Sequence, residues 1–211
     1  MKKIIGFFFA MLILNVSFLH AQDDSQFEEK TPIGDRFVPH FGFMYQLINV
    51  KTEDDNLYAP EPIFYSLEIG TYYMIGHKND VVSFGVDGNI HAGINFNILN
   101  SVNFVVQTPM FLMGRWGVGS TAYNQQRAGL GIGVGGTYTF MNYSDATVEK
   151  FKKGFLNPTV LVEGSIFARG GPIMGRIMFS VLPHTRELAP PFVQPYDGKF
   201  GFISFGLVYG F

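Results

Sequence analysis

Between Val82 and Ile98 the chain alternates with a period of two. Val82, Phe84, Val86, Ile90, Ala92, Ile94, Phe96 and Ile98 stand against Ser83, Gly85, Asp87, Asn89, His91, Gly93, Asn95 and Asn97. A strand sends such neighbours to opposite faces. One face then carries a carboxylate, several amides and an imidazole, which are costly to bury without partners. That face needs water or an enclosed polar space, while the other is apolar throughout. The same alternation recurs along the chain, and after the first twenty residues no run approaches 18 apolar residues. A helical membrane protein is thereby excluded. Strands apolar on one face and polar on the other suit a closed barrel with lipid outside, because closure leaves no unpaired edge in the bilayer.

Eight strands are predicted on this pattern. Strand 1, about Phe37 to Asn49, puts Phe37, Phe41, Phe43, Tyr45 and Leu47 on one face and His40, Gly42, Met44 and Gln46 on the other. Strand 2, Ile63 to Ile75, sends Tyr65, Leu67, Ile69, Thr71 and Tyr73 outward, with Ser66, Glu68, Gly70 and Tyr72 inward. Strand 3 is the segment above. Strand 4, Asn103 to Trp116, sets Phe104, Val106, Met110, Leu112 and Trp116 against Gln107, Pro109, Phe111, Met113 and Arg115. Strand 5, Ala128 to Met141, sets Leu130, Ile132, Val134, Tyr138 and Phe140 against Gly129, Gly131, Gly133 and Gly135. These glycines have period two, with no following Lys-Ser/Thr and no helix to open, so a phosphate-binding loop is excluded. They leave room for bulky side chains from other strands. Strand 6 covers Thr159 to Ala168, with Glu163 and Ser165 inward. Strand 7 sets Ile173, Ile177 and Phe179 opposite Met174, Arg176 and Ser180. Strand 8 runs from Gly201 to Phe211.

Turn residues separate the strands. His77–Asp80, Gly117–Gln126 and Gly170–Pro172 are predicted as shorter periplasmic turns, and Lys51–Pro62, Asn142–Pro158 and Leu182–Lys199 as long outer loops, with a short break at Asn100-Ser101. Aromatic residues then fall into two bands. Phe37, Tyr73, Phe84, Trp116, Tyr209 and Phe211 lie at the periplasmic ends, and Tyr45, Tyr65, Phe96, Tyr138, Phe140 and Phe179 near the outer ends. Two girdles of this kind flank the apolar band of a membrane barrel.

At the amino terminus Lys2 and Lys3 precede an apolar run from Ile4 to Phe18, and Leu19-His20-Ala21 offers a cleavage site before Gln22. The run is too short to span a bilayer and reads as a secretory signal peptide. The expected organisation is a signal peptide at residues 1–21, an acidic periplasmic lead-in at 22–35 and a barrel domain at 36–211. Cys is absent, so disulfides, thiolate chemistry, a lipid-modified amino-terminal Cys and soft metal ligation are all excluded. The formal charge of −2 becomes −4 once the segment bearing Lys2 and Lys3 is removed. No concentrated basic face points to nucleic acid.

The last stretch places Ile203, Phe205, Leu207, Tyr209 and Phe211 on one face and Phe202, Ser204, Gly206, Val208 and Gly210 on the other. It resembles the carboxy-terminal signal of bacterial outer-membrane β-barrels, a terminal Phe preceded by alternating apolar residues. The resemblance implies that Phe205, Leu207, Tyr209 and Phe211 are read by the barrel-assembly machinery. The segment Gln107-Thr108-Pro109-Met110-Phe111-Leu112-Met113, followed by the Gly-rich strand 5, resembles the small outer-membrane barrel domain proteins of the OmpA/OmpX-like and PorT-like group. It implies an eight-stranded antiparallel up-and-down transmembrane β-barrel (all-β class) in the outer membrane and, by the same analogy, a monomer. No peptidoglycan-binding domain follows, so a tethering role is not expected.

Glu68, Asp87, Glu163, Arg115 and Arg176 are all assigned to the interior, with His40 and His91 nearby. Eight strands enclose a space that side chains just fill. Opposite charges there are expected to pair and plug the lumen, as Glu163–Arg176 and as Asp87 and Glu68 sharing Arg115. The functional reading is a structural or interaction role through the outer loops, with a narrow solute pore as the alternative. An outer-membrane lipid-modifying enzyme is the third reading. His184 near Thr185 and Glu187, Ser144 beside Asp145, and the Asp87/His91 pair form no triad motif, so no enzyme, cofactor or metal is expected.

Overall fold

A computed structural model describes residues 33–52, 63–96, 102–121, 124, 126–143, 151–168, 171–182, 184–188 and 196–210. The signal peptide, all of the acidic lead-in before Ile33, the Asn100-Ser101 break, Ser144-Asp145 and Phe211 lie outside these residues. A single 3-10 turn, Ile33–Arg36, leads into β1 (Phe37–Thr52). There follow β2 (Ile63–Lys78), β3 (Val82–Phe96), β4 (Val102–Gly117), β5 (Ala128–Tyr143) and β6 (Phe151–Ala168). The last three are β7 (Gly171–Ser180), β8 (His184–Leu188) and β9 (Tyr196–Gly210).

Every neighbouring pair is antiparallel, and β9 pairs with β1, so the sheet closes. The barrel has eight positions, not nine. Both β7 and β8 lie along the same side of β9, with Phe179 opposite Ile203 and His184 opposite Phe200. The pairings advance five residues along β7–β8 for three along β9, so β8 continues the line of β7 after an irregular step that includes Val181 and Leu182. Following paired residues around the wall leads from Glu163 to Arg176, Gly206, Met44, Ser66, Gly93, Val105, Met141 and finally Lys153. The path returns to β6 ten residues from its start. This stagger tilts the strands and sets the bore.

The faces follow the alternation. Phe41, Phe43, Leu67, Ile69, Ile90, Met110, Ile132, Val134, Val162, Ile177, Phe205 and Leu207 are turned outward, while the buried set includes two Arg, two Glu, one Asp and three His of the barrel strands. A water-soluble protein has the reverse arrangement. No helix among the described residues is long and apolar enough to cross a membrane. Aromatic neighbours mark the two ends of the wall: Phe37 against Tyr73 at 4.9 Å and Phe41 against Tyr209 at 6.0 Å, then Tyr45 against Tyr65 at 5.6 Å and Phe104 against Phe140 at 5.9 Å.

Three expected loops are shorter than the sequence indicated. Lys51 and Thr52 pair with Lys199 and Gly198, extending β1. Tyr143 through Thr137 pair with Phe151 through Asn157, so much of the Asn142–Pro158 segment is strand. Its Lys residues and Pro158 read as loop chemistry, but Pro158 stands at the margin of the β6–β7 ladder, its carbonyl accepting from Val181 N–H at 2.9 Å, a place that tolerates a missing donor. The Leu182–Lys199 segment likewise contains β8 and the start of β9.

Candidate functional site in the barrel interior

The interior is filled in tiers. At the end holding the chain's amino-terminal strand start, the β4–β5 turn folds into the mouth, and Val118, Ser120, Thr121 and Asn124 are all buried. Three side chains of this turn, Ser120, Thr121 and Asn124, donate to the one carbonyl of Asp80, Ser120 at 2.9 Å. Ser165 holds the turn from the far side through the Val118 carbonyl at 2.7 Å. Gly117 and Gly119 have φ of 77° and 84°, the left-handed region in which only glycine is unstrained. The sequence marks these residues as a turn and carries no sign that it points inward.

Above the turn lies the charged tier. Glu163 and Arg176 stand directly opposite in the β6–β7 ladder, with Arg176 Nε 2.9 Å from Glu163 Oε2. Arg176 Nη2 donates to Asp87 Oδ2 at 2.9 Å, and Nη1 donates to Glu68. Arg115 reaches Asp87 Oδ2 and Glu163 Oε2 from Nη2, each at 3.1 Å. Its Nε lies 3.0 Å from Glu163 Oε1 without the alignment of a hydrogen bond. The Arg115 guanidinium also covers the Tyr72 ring at 4.2 Å. Both arginines are only 2% exposed.

Five charges from five strands thus form one network. Asp87 and Glu163 each meet both guanidinium groups, whereas Glu68 meets Arg176 and not Arg115. The expected sharing of Arg115 by Glu68 and Asp87 is therefore corrected: Arg176 crosses the bore and takes Glu68. Asn89, outside the expected set, and His40, expected nearby, complete the tier. Asn89 donates to Asp87 Oδ1 at 2.9 Å, and Asn89 Oδ1 lies 2.5 Å from His40 Nε2. Gly70 leaves the space they occupy, since a Cβ there would sit 2.5 Å from His40 Nε2 and 2.8 Å from Asn89 Cγ. Gly131 does the same for Glu163, whose Cβ would be 3.3 Å away.

The next tier is polar and uncharged apart from Glu68. Glu68, His91, Gln107 and Thr139 form a continuous row across β2 to β5, and Gln46 faces Ser204 across β1 and β9. Gln46 Nε2 reaches His91 Nδ1 at 3.1 Å, and Gln107 Nε2 donates to Thr139 at 3.0 Å. The outermost tier is apolar: Ile48, Phe64, Met141, Phe155, Phe200 and Phe202 are buried, with the Phe155 and Phe200 rings 5.2 Å apart. His184 of β8 stacks on Phe155 at 6.4 Å. It meets an aromatic ring there; the Ser144-Asp145 segment is outside the described residues.

A closed, all-antiparallel barrel of eight strand positions with an apolar exterior and a charged bore defines the class: the chain has the fold of the small bacterial outer-membrane β-barrels. Neisserial surface protein A superposes with a TM-score of 0.50 at 9% identity, covering 83% of this chain and 97% of that one. OprG from Pseudomonas aeruginosa gives a TM-score of 0.47 at 11% identity, over 83% and 95% of the two chains. Ail, the attachment invasion locus protein of Yersinia pestis, gives 0.43 at 12% identity, over 83% and 99%. At such identities the likeness is one of fold. No protein-family model matches the sequence, and no curated protein matches it.

Proposed function

We propose that this protein is an integral outer-membrane β-barrel with a closed bore, acting as a structural or interaction protein through its outward-facing ends. The observation that carries this reading is the two-arginine, three-carboxylate network at mid-bore. Its members are fully buried and bonded to each other, so a passing solute would have to break several charge-assisted hydrogen bonds at once. The inward β4–β5 turn and the aromatic tier stop the two ends. The same commitment of side chains speaks against a catalytic role, since each charged group is held by an ion pair and none is paired with a free nucleophile. In this reading residues 1–21 carry the chain across the inner membrane, and Phe205, Leu207, Tyr209 and Phe211 present the last strand to the barrel-assembly machinery. Lipid is the obligatory partner of the outer wall.

Conductance of the refolded protein in a planar bilayer tests the reading. A silent bilayer is the expected result. Large, steady conductance would replace the closed barrel by a narrow pore for small solutes.

A further inference from the structure

The polar tier between the charged network and the aromatic cap holds buried polar atoms without aligned partners. Gln46 and Gln107 direct their amide nitrogens to His91 and Thr139, and Glu68 commits Oε1 to Arg176. Gln46 Oε1, Gln107 Oε1, Glu68 Oε2, Ser66 Oγ and Ser204 Oγ are buried without an aligned partner, as is His91 Nε2. These six atoms belong to one tier, because Gln46–Ser204 and Glu68–His91–Gln107 are cross-strand neighbours and Ser66 stands opposite Gly93, two residues from His91. Buried polar atoms are satisfied in nearly all proteins. Six together in one tier mark a place built to surround something.

Charge says what that is. Glu68, Asp87 and Glu163 oppose Arg115 and Arg176, which leaves one negative charge when His40 and His91 are neutral. The excess falls on Glu68, whose Oε2 faces the polar tier while Asp87 and Glu163 each hold two guanidinium groups. Gln46 Nε2 lies 3.1 Å from His91 Nδ1, and in the tautomer that accepts there the proton on Nε2 lies 3.5 Å from Glu68 Oε2. The remaining titratable neighbour, His40, lies on the other side of Glu68, 3.4 Å from Oε1.

We propose that this tier is a binding site for one small monovalent cation, an alkali metal ion or ammonium. Glu68 Oε2 and the Gln46 and Gln107 carbonyl oxygens hold it, directly or through water, with the two serine hydroxyls completing the shell. All the donors are oxygens, the ligand type that hard cations take. One uncompensated charge matches a monovalent ion.

The test is reversible urea unfolding in phosphatidylcholine vesicles, followed by the fluorescence of Trp116, the single Trp of the chain. Potassium or ammonium chloride is exchanged for choline chloride at constant ionic strength, so that general screening does not change. Once the site fills, the unfolding equilibrium constant should fall up to tenfold for each tenfold rise in potassium or ammonium, and choline should have no such effect. Glu68→Gln should abolish the dependence. Gln107→Met, which leaves every ion pair in place, should weaken it and keeps the test open if Glu68→Gln does not fold. Equal stability in potassium, ammonium and choline would overturn the proposal. So would nitrogen NMR showing His40 or His91 as an imidazolium in choline near neutral pH, because the missing charge would then be the protein's own proton. Neither result bears on conductance, so the closed-bore reading stands or falls separately.

Discussion

Replacing Arg176 by Met removes the one cation that Glu68 contacts and one of the two that serve Asp87 and Glu163. Asp87 and Glu163 would then share Arg115 alone, and Glu68 would face no guanidinium. Breaking a buried pair by deleting one partner costs about 3–5 kcal/mol, and the loss of contacts to three acids places Arg176→Met at the upper end of that range. Glu163→Gln is a milder change. It keeps the shape, removes one charge from a network that holds one too many, and forfeits charged hydrogen bonds worth about 1.5–3 kcal/mol. With both substitutions present, one carboxylate fewer is left beside the missing guanidinium, so the two costs should not add. The coupling should be about 1–2 kcal/mol, below the maximum of about 3 kcal/mol for residues in contact, because Arg115 still holds Glu163 from its other side at 3.0 and 3.1 Å.

The assay is urea unfolding of all four proteins in vesicles, read by Trp116 fluorescence and by the gel shift of folded barrel. Trp116 lies on the outward wall at the end of the barrel that holds the start of β1, 51% exposed and clear of the network. Additivity within about 0.3–0.5 kcal/mol would mean that the two residues do not interact. The charged tier would then not be a plug.

Further outcomes follow from other parts of the wall and bore. Ile90, 58% exposed on the lipid face, should tolerate Leu but lose about 2–4 kcal/mol as Arg if it sits near the bilayer midplane, measured by the same unfolding. Gly70→Ala should lose about 1–3 kcal/mol, because its Cβ would press on Asn89 and His40. Gly119→Val forces a branched residue to a φ of 84° and should lose about 1–3 kcal/mol while leaving the bilayer silent, since the charged tier is intact. Deleting Phe211 should lower the amount of heat-modifiable, membrane-inserted protein far more than a change at Gly201; unchanged insertion would refute the assembly-signal reading.

The alternation legible in β3 determines which residues meet lipid and which meet the bore, because a period of two has only two phases. It also brings Glu163 opposite Arg176, since a short turn between β6 and β7 leaves little freedom in register. Partners across the bore are not legible. Arg176 reaches Glu68 over the bore because the stagger of the barrel lifts β2 relative to β7, and stagger is a property of closure that no single strand encodes. The outer half of β6 and all of β8 escape a sequence reading for another reason: Lys152, Lys153 and Pro158, and the prolines near β8, carry loop chemistry, while pairing with an already formed neighbour overrides it. Asn89 falls on the inward face by alternation, yet nothing in its spacing distinguishes a partner of Asp87 from filler. The inward fold of the β4–β5 turn depends on Asp80, about forty residues away, whose carbonyl gathers three side chains.

A buried ionic network is a poor way to gain stability, because well-packed apolar residues often do as well once desolvation is counted. Its use here is better seen in what it forbids. A strand slipped by one residue would exchange its two faces. For β3 that slip would carry Asp87, Asn89 and His91 into lipid and draw Ile90 and Ala92 inside; for β6 it would expose Glu163, and for β7 Arg176. An apolar bore would make such slips nearly free, since both faces would then accept lipid. With charges on five of the eight strand positions, a slipped barrel carries an unpaired ion in hydrocarbon, at about 2–4 kcal/mol for each Arg near the midplane. The same residues that close the bore therefore also select the register, and the glycines at 70 and 131 keep open the space in which they can meet.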